Sequence, residues 1–357
     1  MNHSNELDGS LDHQSREDPR RQALLPPDVA NRHVALGVYI RKSRLVGVVV
    51  DVNGEIVKHP GRTDGQATIT RPLGAPDKGS VVRSVARLAH DLVALDPQFA
   101  DPVGLGVTLS GLVGPDNREV RRSDRLSWPE PVPLAELLEE VTGHPTMVEH
   151  DAKVLALDEQ HFGLGQGRRS FAVVMADVGV GSAFVLDYRL WRGGWDEAGE
   201  LGHMVLPLVR RKCVCGKAGC LETVAGGDGI LQSIRAAGLR NVNDIEAAAT
   251  LAREGNKVAR MEFGHAGKML GIGLSWVVNL LNLELVVVRT GPELRATGDY
   301  EHQARRFFRK KGFHDAAERC ELVFQNRDQQ LGARSAGSMA LQLLNPATAG
   351  ELADGIL

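Results

Sequence analysis

Three of the four cysteines in this sequence lie within a segment of eight residues. They are Cys213, Cys215 and Cys220, and thiolate sulfur is a preferred ligand of zinc, which takes four ligands in a structural site. His203 lies ten residues before the first thiol and is the candidate fourth ligand. Cys320 lies 100 residues after Cys220 and is expected to be a buried structural thiol. The spacing predicts a closed, structural zinc site; the alternative is ordinary reduced thiols beside a surface histidine.

Alternating strands and helices must position this segment. Residues 1–33 are polar and lack apolar periodicity, so we expect a disordered tail there, and a loop at 61–78. A strand–turn–strand pattern opens the chain at Val34 and a similar pattern begins at Phe171, which indicates an internal duplication. Helical spacing of apolar residues predicts helices at 80–95, 133–141, 151–162, 257–282 and 331–344. This alternation is typical of an α/β protein, here with two lobes and a cleft between them.

The composition excludes several classes of protein. A hydrophobic content of 43% and a charged content of 24% are those of a soluble globular protein. The net charge of -3 is unlike the basic excess of nucleic-acid-binding domains. No apolar run approaches the roughly 20 residues of a membrane span, and the first residues lack the order of a secretory signal. We therefore expect a cytoplasmic protein without membrane partners, in which clustered cysteines indicate a metal site and not disulfides.

The residues around the thiols resemble the signature of the ROK family (repressors, uncharacterised frames and sugar kinases). The matching patterns are E-x-G-H at 200–203 and C-x-C-G-x-x-G-C-x-E at 213–222, and the resemblance extends from about Val34 to Leu344. It implies an actin-like (sugar kinase/Hsp70) duplicated fold with an interlobe cleft, and zinc on His203 and the three thiols. We place the N-terminal lobe at 34–149, the C-terminal lobe with its zinc loop (203–222) at 150–330, and a returning helix at 331–345.

The resemblance also implies a sugar site. In the family, the glutamate and histidine of E-x-G-H and the glutamate after the last cysteine bind sugar hydroxyls, and here these are Glu200, His203 and Glu222. The chemistry is suitable, because a carboxylate accepts paired hydrogen bonds from neighbouring hydroxyls and a metal-bound imidazole keeps one N–H as a donor. Gly111 matches a glycine that approaches the sugar in the family. The alternative for both glutamates is that they are plain surface acids.

His150-Asp151 stands where kinases of the family carry an Asn-Asp pair before a helix, with the aspartate as general base. Asp151 is thus the candidate base if this chain is a kinase and a sugar ligand otherwise. Its position also suits a helix N-cap, where we expect it. His150, a second candidate sugar ligand, replaces the amide, a substitution that the resemblance associates with the repressor branch.

The phosphate-binding elements of the family's kinases are altered here. Tyr39 replaces the acid of the first loop, and Arg41, Lys42 and Arg44 occupy or flank the positions of its glycines. The second loop keeps only the glycines at 179 and 181, and Asp177 brings a negative charge close to the expected phosphate.

Gly179 and Gly181 are candidates for nucleotide contact, and a tight β-turn is the alternative explanation. The third element, a glycine pair, has become Arg289-Thr290-Gly291. The sugar set is thus largely kept while all three nucleotide elements are damaged.

Three hypotheses follow. The first is a non-catalytic, sugar-responsive module of the regulator type, with zinc as its only cofactor. The second is an ATP- and Mg²⁺-dependent kinase of a hexose or N-acetylhexosamine with Asp151 as base. The third is a structural or partner-binding relic of the fold. The expected ligand is a sugar or a sugar phosphate, because Arg125 stands where relatives present an asparagine and could favour an anion. The resemblance also implies a homodimer.

DNA binding is not expected from this sequence. Only 33 residues precede the first expected strand, whereas the winged helix-turn-helix of the repressor branch needs roughly 60, and no recognition helix is evident among them. Either the chain is a repressor-derived module without that domain, or its start has been placed too late.

Overall fold

The computed structural model describes residues 33–344, apart from residues 42, 63, 328 and 329 and the side chain of Leu344. The expected tail at 1–33, apart from His33, lies outside the described residues, and so does Lys42.

The first lobe is built on a five-stranded mixed sheet. Its strands are β1 (Val34–Ile40), β2 (Arg44–Asp51), β3 (Thr68–Pro72), β4 (Leu105–Leu109) and β7 (Thr146–His150), in the order β3-β2-β1-β4-β7. Because β1, β4 and β7 are parallel, their carboxyl ends lie at one edge of the sheet. A small hairpin of β5 (Leu112–Val113) and β6 (Val120–Arg122) follows β4.

The second lobe repeats this arrangement. Its strands are β8 (Phe171–Ala176), β9 (Val180–Leu186), β10 (Arg189–Leu190), β11 (Leu285–Thr290) and β12 (Glu321–Asn326), in the order β10-β9-β8-β11-β12. As in the first sheet, the first three strands pair antiparallel, and the first of them, β8, pairs parallel with β11, which pairs parallel with β12. The shared order and directions confirm the internal duplication predicted from the sequence.

The described residues form ten α-helices. They are α1 (Lys78–Val93), α2 (Leu134–Thr142), α3 (Asp151–Phe162), α4 (Glu222–Ala225), α5 (Gly227–Ala236), α6 (Ile245–Arg253), α7 (Lys257–Leu281), α8 (Asp299–Lys311), α9 (Ala316–Arg319) and α10 (Leu331–Ala340). Short 3-10 helices lie at Pro97–Phe99, Leu201–His203 and Leu341–Leu344. Among the described residues, no helix is both long enough and apolar enough to cross a membrane.

Helix α10 packs on the first sheet although it is the last α-helix of the described residues. Its small residues Ala333 and Ala340 belong to a buried cluster with Ala35 and Val48. The backbone of the helix approaches so closely that a Cβ at Gly106 would overlap the carbonyl oxygen of Ala336. Helix α10 also contacts α3, so two helices lie where the lobes join.

Two local predictions were wrong. Residues 61–78 contain the edge strand β3, because the β-branched run Thr68, Ile69, Thr70 pairs with β2. Asp151 is not the N-cap of α3; the ring of His150 accepts the Ala152 N–H at 3.2 Å and takes that position. The carboxylate of Asp151 therefore does not cap the helix, and it lines the cavity.

Candidate functional site

A cavity of about 440 Å³ lies between the lobes. The carboxyl ends of the parallel strands of both sheets open into it, the usual place for a ligand in open α/β sheets. All the predicted sugar-site residues line it, namely Gly111, His150, Asp151, Glu200, His203 and Glu222. The two candidate glycines of the second phosphate loop, Gly179 and Gly181, line it as well. The structure thus brings the predicted residues together, and their roles remain predictions.

The predicted zinc loop folds back on itself. The Cys213 N–H donates to the Lys217 carbonyl at 2.8 Å, and the Gly219 N–H donates to the Arg211 carbonyl at 2.9 Å. The resulting turns gather one ligand atom each, all within 4.8 Å of one another, from His203, Cys213, Cys215 and Cys220. This cluster can therefore hold a metal ion.

The chemistry of the cluster suits structural zinc. One nitrogen and three sulfurs form a familiar closed set of zinc ligands. Burial, and then the carboxylate of Glu222, raise the pKa of the Cys213 thiol. A bound cation would lower that pKa again because it stabilises the thiolate. Nδ1 of His203 lies 3.5 Å from the Cys213 sulfur, whereas Nε2 lies 3.7 Å from the Glu200 carboxylate. A metal at the thiols would thus fix the ring with Nε2 toward Glu200.

Glu222 lies between the thiols and a guanidinium. One of its oxygens accepts a hydrogen bond from the Cys213 thiol at 2.9 Å, and the other lies 3.5 Å from the Arg125 guanidinium. Arg125 lies 3.4 Å from Asp228 as well. A Cβ at Gly179 would overlap both Arg125 and Glu222, so this glycine makes room for an ion pair of the chain's own side chains.

Asp151 is already engaged as a hydrogen-bond acceptor. It is buried at the first position of α3, and the Tyr39 hydroxyl donates to its Oδ2 at 3.0 Å. Burial, and then the charge of Asp151, raise the pKa of Tyr39, so the phenol remains protonated and is a permanent donor. His150 Nε2 lies 3.5 Å from the other oxygen. A proton-accepting role for Asp151 would have to compete with Tyr39.

An ion-pair cluster joins the lobes at the other end of the cavity. Arg41, after β1, donates to Asp177 Oδ2 at 2.6 Å, and Arg327, after β12, donates to the same oxygen at 2.7 Å. Both guanidiniums lie against the Tyr39 ring, at 5.7 Å and 4.9 Å from its centroid. The positions expected to surround phosphate are thus filled by side chains.

The third nucleotide element has also changed its role. Arg289 forms an ion pair with the buried Glu159 of α3, with its Nε at 2.9 Å from that carboxylate. It therefore joins β11 to α3 and does not line the cavity.

A family model described as ROK matches residues 76–342, more than half of the chain. The chain belongs to the ROK family. Relatives come from both of its branches. The chain is 28% identical over 225 residues to the xylose repressor of Caldicellulosiruptor bescii, an alignment that covers 59% of this chain and 56% of the repressor. It is 28% identical over 264 residues to a glucokinase of Halalkalibacterium halodurans, covering 68% of this chain and 79% of the kinase.

The chain thus spans about half the length of the repressor it matches, as it does for the transcriptional repressor Mlc of Escherichia coli K12, where coverage is 47% at 28% identity.

Solved ROK structures establish the fold. A ROK transcriptional regulator homologous to E. coli Mlc superposes with a TM-score of 0.74 at 23% identity, covering 92% of this chain and 80% of that one. A ROK glucokinase from Streptomyces griseus, solved with glucose and AMPPNP, gives 0.71 at 23% identity, covering 87% and 99%. The predicted actin-like, duplicated two-lobe fold is therefore confirmed. Both branches match, so the choice between them rests on the cleft.

This ROK chain also has a buried ionic network that the sequence did not predict. Glu149 is fully buried and accepts a hydrogen bond from Arg192 at 2.8 Å. Asp196 forms ion pairs with both Arg192 and Lys153, each at 3.0 Å. Burial raises the pKa of Glu149, but the charges of Arg192 and Lys153 outweigh it and hold that pKa below its usual range. The network ties the loop before Glu200 to β7 and α3, which Asp151 begins.

Arg327 was missed as well, although the duplication contains a signal for it. It follows β12 as Asp151 follows β7, and these two strands hold the same place in their sheets. The equivalence appears only once the strand order of both lobes is known.

Proposed function

We propose that this chain is a sugar-binding regulatory module of the ROK family that does not transfer phosphate. One observation carries the proposal: the nucleotide end of the cavity is filled by the Arg41–Asp177–Arg327 cluster, with Tyr39 bonded to Asp151. Phosphoryl transfer needs an open loop whose backbone N–H groups and bound Mg²⁺ neutralise phosphate charge. In a kinase the γ-phosphate and its Mg²⁺ would take the place that these side chains occupy.

The sugar end supports binding. Carboxylates of Glu200, Glu222 and Asp151 accept hydrogen bonds from hydroxyls, and His203 Nε2 and the His150 ring add polar contacts in the same cavity. Zinc on the thiol cluster would hold the loop that carries Glu200 and Glu222 in place. Closure of the lobes around the sugar is the signal in this proposal. Pairing of two chains and a cytoplasmic site of action belong to the same proposal.

Calorimetry with a panel of hexoses and N-acetyl sugars tests it. We expect one class of sugar to bind with micromolar to millimolar affinity, and no turnover of ATP in a coupled assay with that sugar present. Asp151→Asn should weaken sugar binding about tenfold through loss of an acceptor. Failure of every sugar to bind would overturn the proposal.

A divergent sugar kinase is the second candidate. The glucokinase relative, matched over 79% of its length, and the buried Asp151 at the start of a helix favour it. In this case Asp151 accepts the proton of the attacking hydroxyl. Sugar-dependent ATP consumption that disappears in Asp151→Asn would establish this function. If neither sugar nor ATP shifts the melting temperature, the chain is a structural relic of the fold.

A further inference from the structure

We propose that Arg41 and Arg327 form a subsite for the phosphate group of a phosphorylated sugar, which takes the place of the Asp177 carboxylate. The inference rests on the proposed sugar function and names the class of its ligand. It assigns a binding role to the end of the cavity where nucleotide binding is disfavoured.

Arg327 is the first support. Only 7% of this residue is exposed, and it lines the cavity. Its Nη1 donates to Asp177, but its Nε is buried and has no hydrogen-bond partner among the described residues. A buried guanidinium with an unpaired N–H carries a desolvation cost that an additional acceptor would remove. A phosphate has more acceptor oxygens than the carboxylate does.

The convergence of charge is the second support. Arg41 comes from the first lobe and Arg327 from the second, yet both donate to the same oxygen of Asp177. Asp151 is a second acid whose charge acts on Arg327, so the support lies in the convergence of the two guanidiniums on one oxygen. The pKa of the neighbouring Arg44 is lowered chiefly by burial and next by the charge of Arg41, and the charge of Asp177 opposes this shift. A phosphate ester offers three oxygens to these two planar donor groups, which share a single oxygen of Asp177.

The third support is the position of this subsite relative to the sugar. The Tyr39 hydroxyl donates to Asp151 at 3.0 Å, while the same ring lies under the Arg327 guanidinium, 4.9 Å from its centroid. One aromatic side chain therefore separates the proposed sugar contact at Asp151 from the guanidinium pair. A phosphate ester on the sugar carbon nearest Asp151 has a short path to Arg41 and Arg327. A sugar without phosphate leaves Asp177 in place.

The experiment compares a sugar with its own phosphate ester by calorimetry on the full chain. The probes are glucose and glucose 6-phosphate, N-acetylglucosamine and its 6-phosphate, inorganic phosphate, and ATP. We expect one phosphate ester to bind about tenfold more tightly than its parent sugar, inorganic phosphate to compete only weakly, and ATP not to compete. The measured quantity is the ratio of the two affinities, ester over parent sugar.

Two variants should move that ratio in opposite directions. Arg41→Gln, on a side chain that is 19% exposed, removes one guanidinium and should bring the ratio to about one. Asp177→Asn removes the competing carboxylate and should raise the ratio about tenfold. Arg169→Gln, which breaks a surface ion pair with Asp187 outside the cavity, is the control and should leave the ratio unchanged. A purely structural role for the cluster would lower both affinities together.

The possible failures are distinguishable. If both members of a pair bind equally in the parent chain and in Asp177→Asn, the phosphate subsite is wrong and the proposed sugar function stands. If inorganic phosphate or ATP binds as tightly as the ester, the subsite serves a free phosphate or a nucleotide, and the inference is overturned. If no sugar binds with or without phosphate, the proposed function itself fails.

Discussion

His203 has a separate partner for each of its two ring nitrogens. Nδ1 lies 3.5 Å from the Cys213 sulfur, and Nε2 lies 3.7 Å from the Glu200 carboxylate in the cavity. A ligand bound at the first nitrogen fixes the tautomer and the orientation of the second. In the proposed function, the thiol cluster affects sugar binding without touching the sugar. It does so by holding one imidazole and the loop that ends at Glu222.

Cys213→Ser should therefore lower both the zinc content and the sugar affinity. Loss of one thiolate removes a ligand, and the loop loses the geometry that aligns Glu200 with Glu222. We expect zinc, measured by elemental analysis, to fall well below one ion per chain and sugar affinity to fall at least about tenfold. Cys320→Ala is the matched control, because this buried thiol lies outside the cluster. The Cys320→Ala protein should keep its zinc. A Cys213→Ser protein with full zinc content and full affinity would contradict this account.

Helix α3 connects the site to both lobes. It begins at Asp151 beside the cavity, and Lys153 in its first turn enters the buried network with Asp196. Near its far end, Asp158 binds Arg334 of α10 at 2.6 Å, and Glu159 binds Arg289 of β11. A shift of this helix therefore moves Asp151 relative to the sheet of each lobe. The buried Asp158 near its far end also gives the element a pH dependence.

Asp158 should make folding stability depend on pH between about 4 and 6. Burial raises the pKa of Asp158 to about 6; the charge of Arg334 opposes that rise and the charge of Glu159 adds to it. In this window the folded chain holds a proton that the unfolded chain has released, so stability falls as pH rises from 4 to 6 and stays low above it. Asp158→Asn should remove a difference on the order of 2 kcal/mol across the window.

Urea denaturation at a series of pH values measures this effect as the difference between parent and variant. Asp187→Asn is the control, since its carboxylate is 71% exposed and paired only at the surface. An unchanged pH slope in Asp158→Asn would show that this carboxyl group is already ionised in the folded chain at pH 5.

Duplication has put opposite charges at equivalent places in the two lobes. Arg41 follows β1 and Asp177 follows β8, strands that hold the same position in their sheets, and the two residues bind each other. Asp151 and Arg327 likewise follow equivalent strands, β7 and β12. At the scale of the whole molecule, the cleft is thus held together by its own ion pairs at one end. In the proposed function, a sugar near Asp151, Glu200 and Glu222 therefore binds between lobes that ion pairs already connect.

Small-angle X-ray scattering should detect this joining. Asp177→Asn removes the carboxylate that links Arg41 to Arg327, so the unliganded variant should have a larger radius of gyration than the parent chain. A bound sugar should reduce the difference because it contacts both lobes, whereas ATP should not. Asp187→Asn again serves as the control. Equal radii for the parent and Asp177→Asn would mean that lobe packing through α3 and α10 alone sets the closure.

The sequence determined the features that depend on local spacing. The ligand cluster from His203 to Cys220 spans one loop, and the repeated strand pattern at Val34 and Phe171 is read from alternation along the chain, so both were predicted. The edge strand β3 and the capping role of His150 were not, because short polar stretches fit several local structures and their partners decide among them.

Only the tertiary structure decided what the nucleotide end of the cleft contains. The bonds of Tyr39 to Asp151, Arg41 to Asp177 and Arg327 to Asp177 join residues 112, 136 and 150 positions apart. No periodicity or motif relates side chains at such separations. They meet because the carboxyl ends of parallel strands in two duplicated sheets face one another, and charge complementarity then selects the pairs. The spacing of His203 and the three cysteines places the ligand cluster within one loop. The packing of the two lobes brings Arg41, Asp177 and Arg327 together in the same cavity.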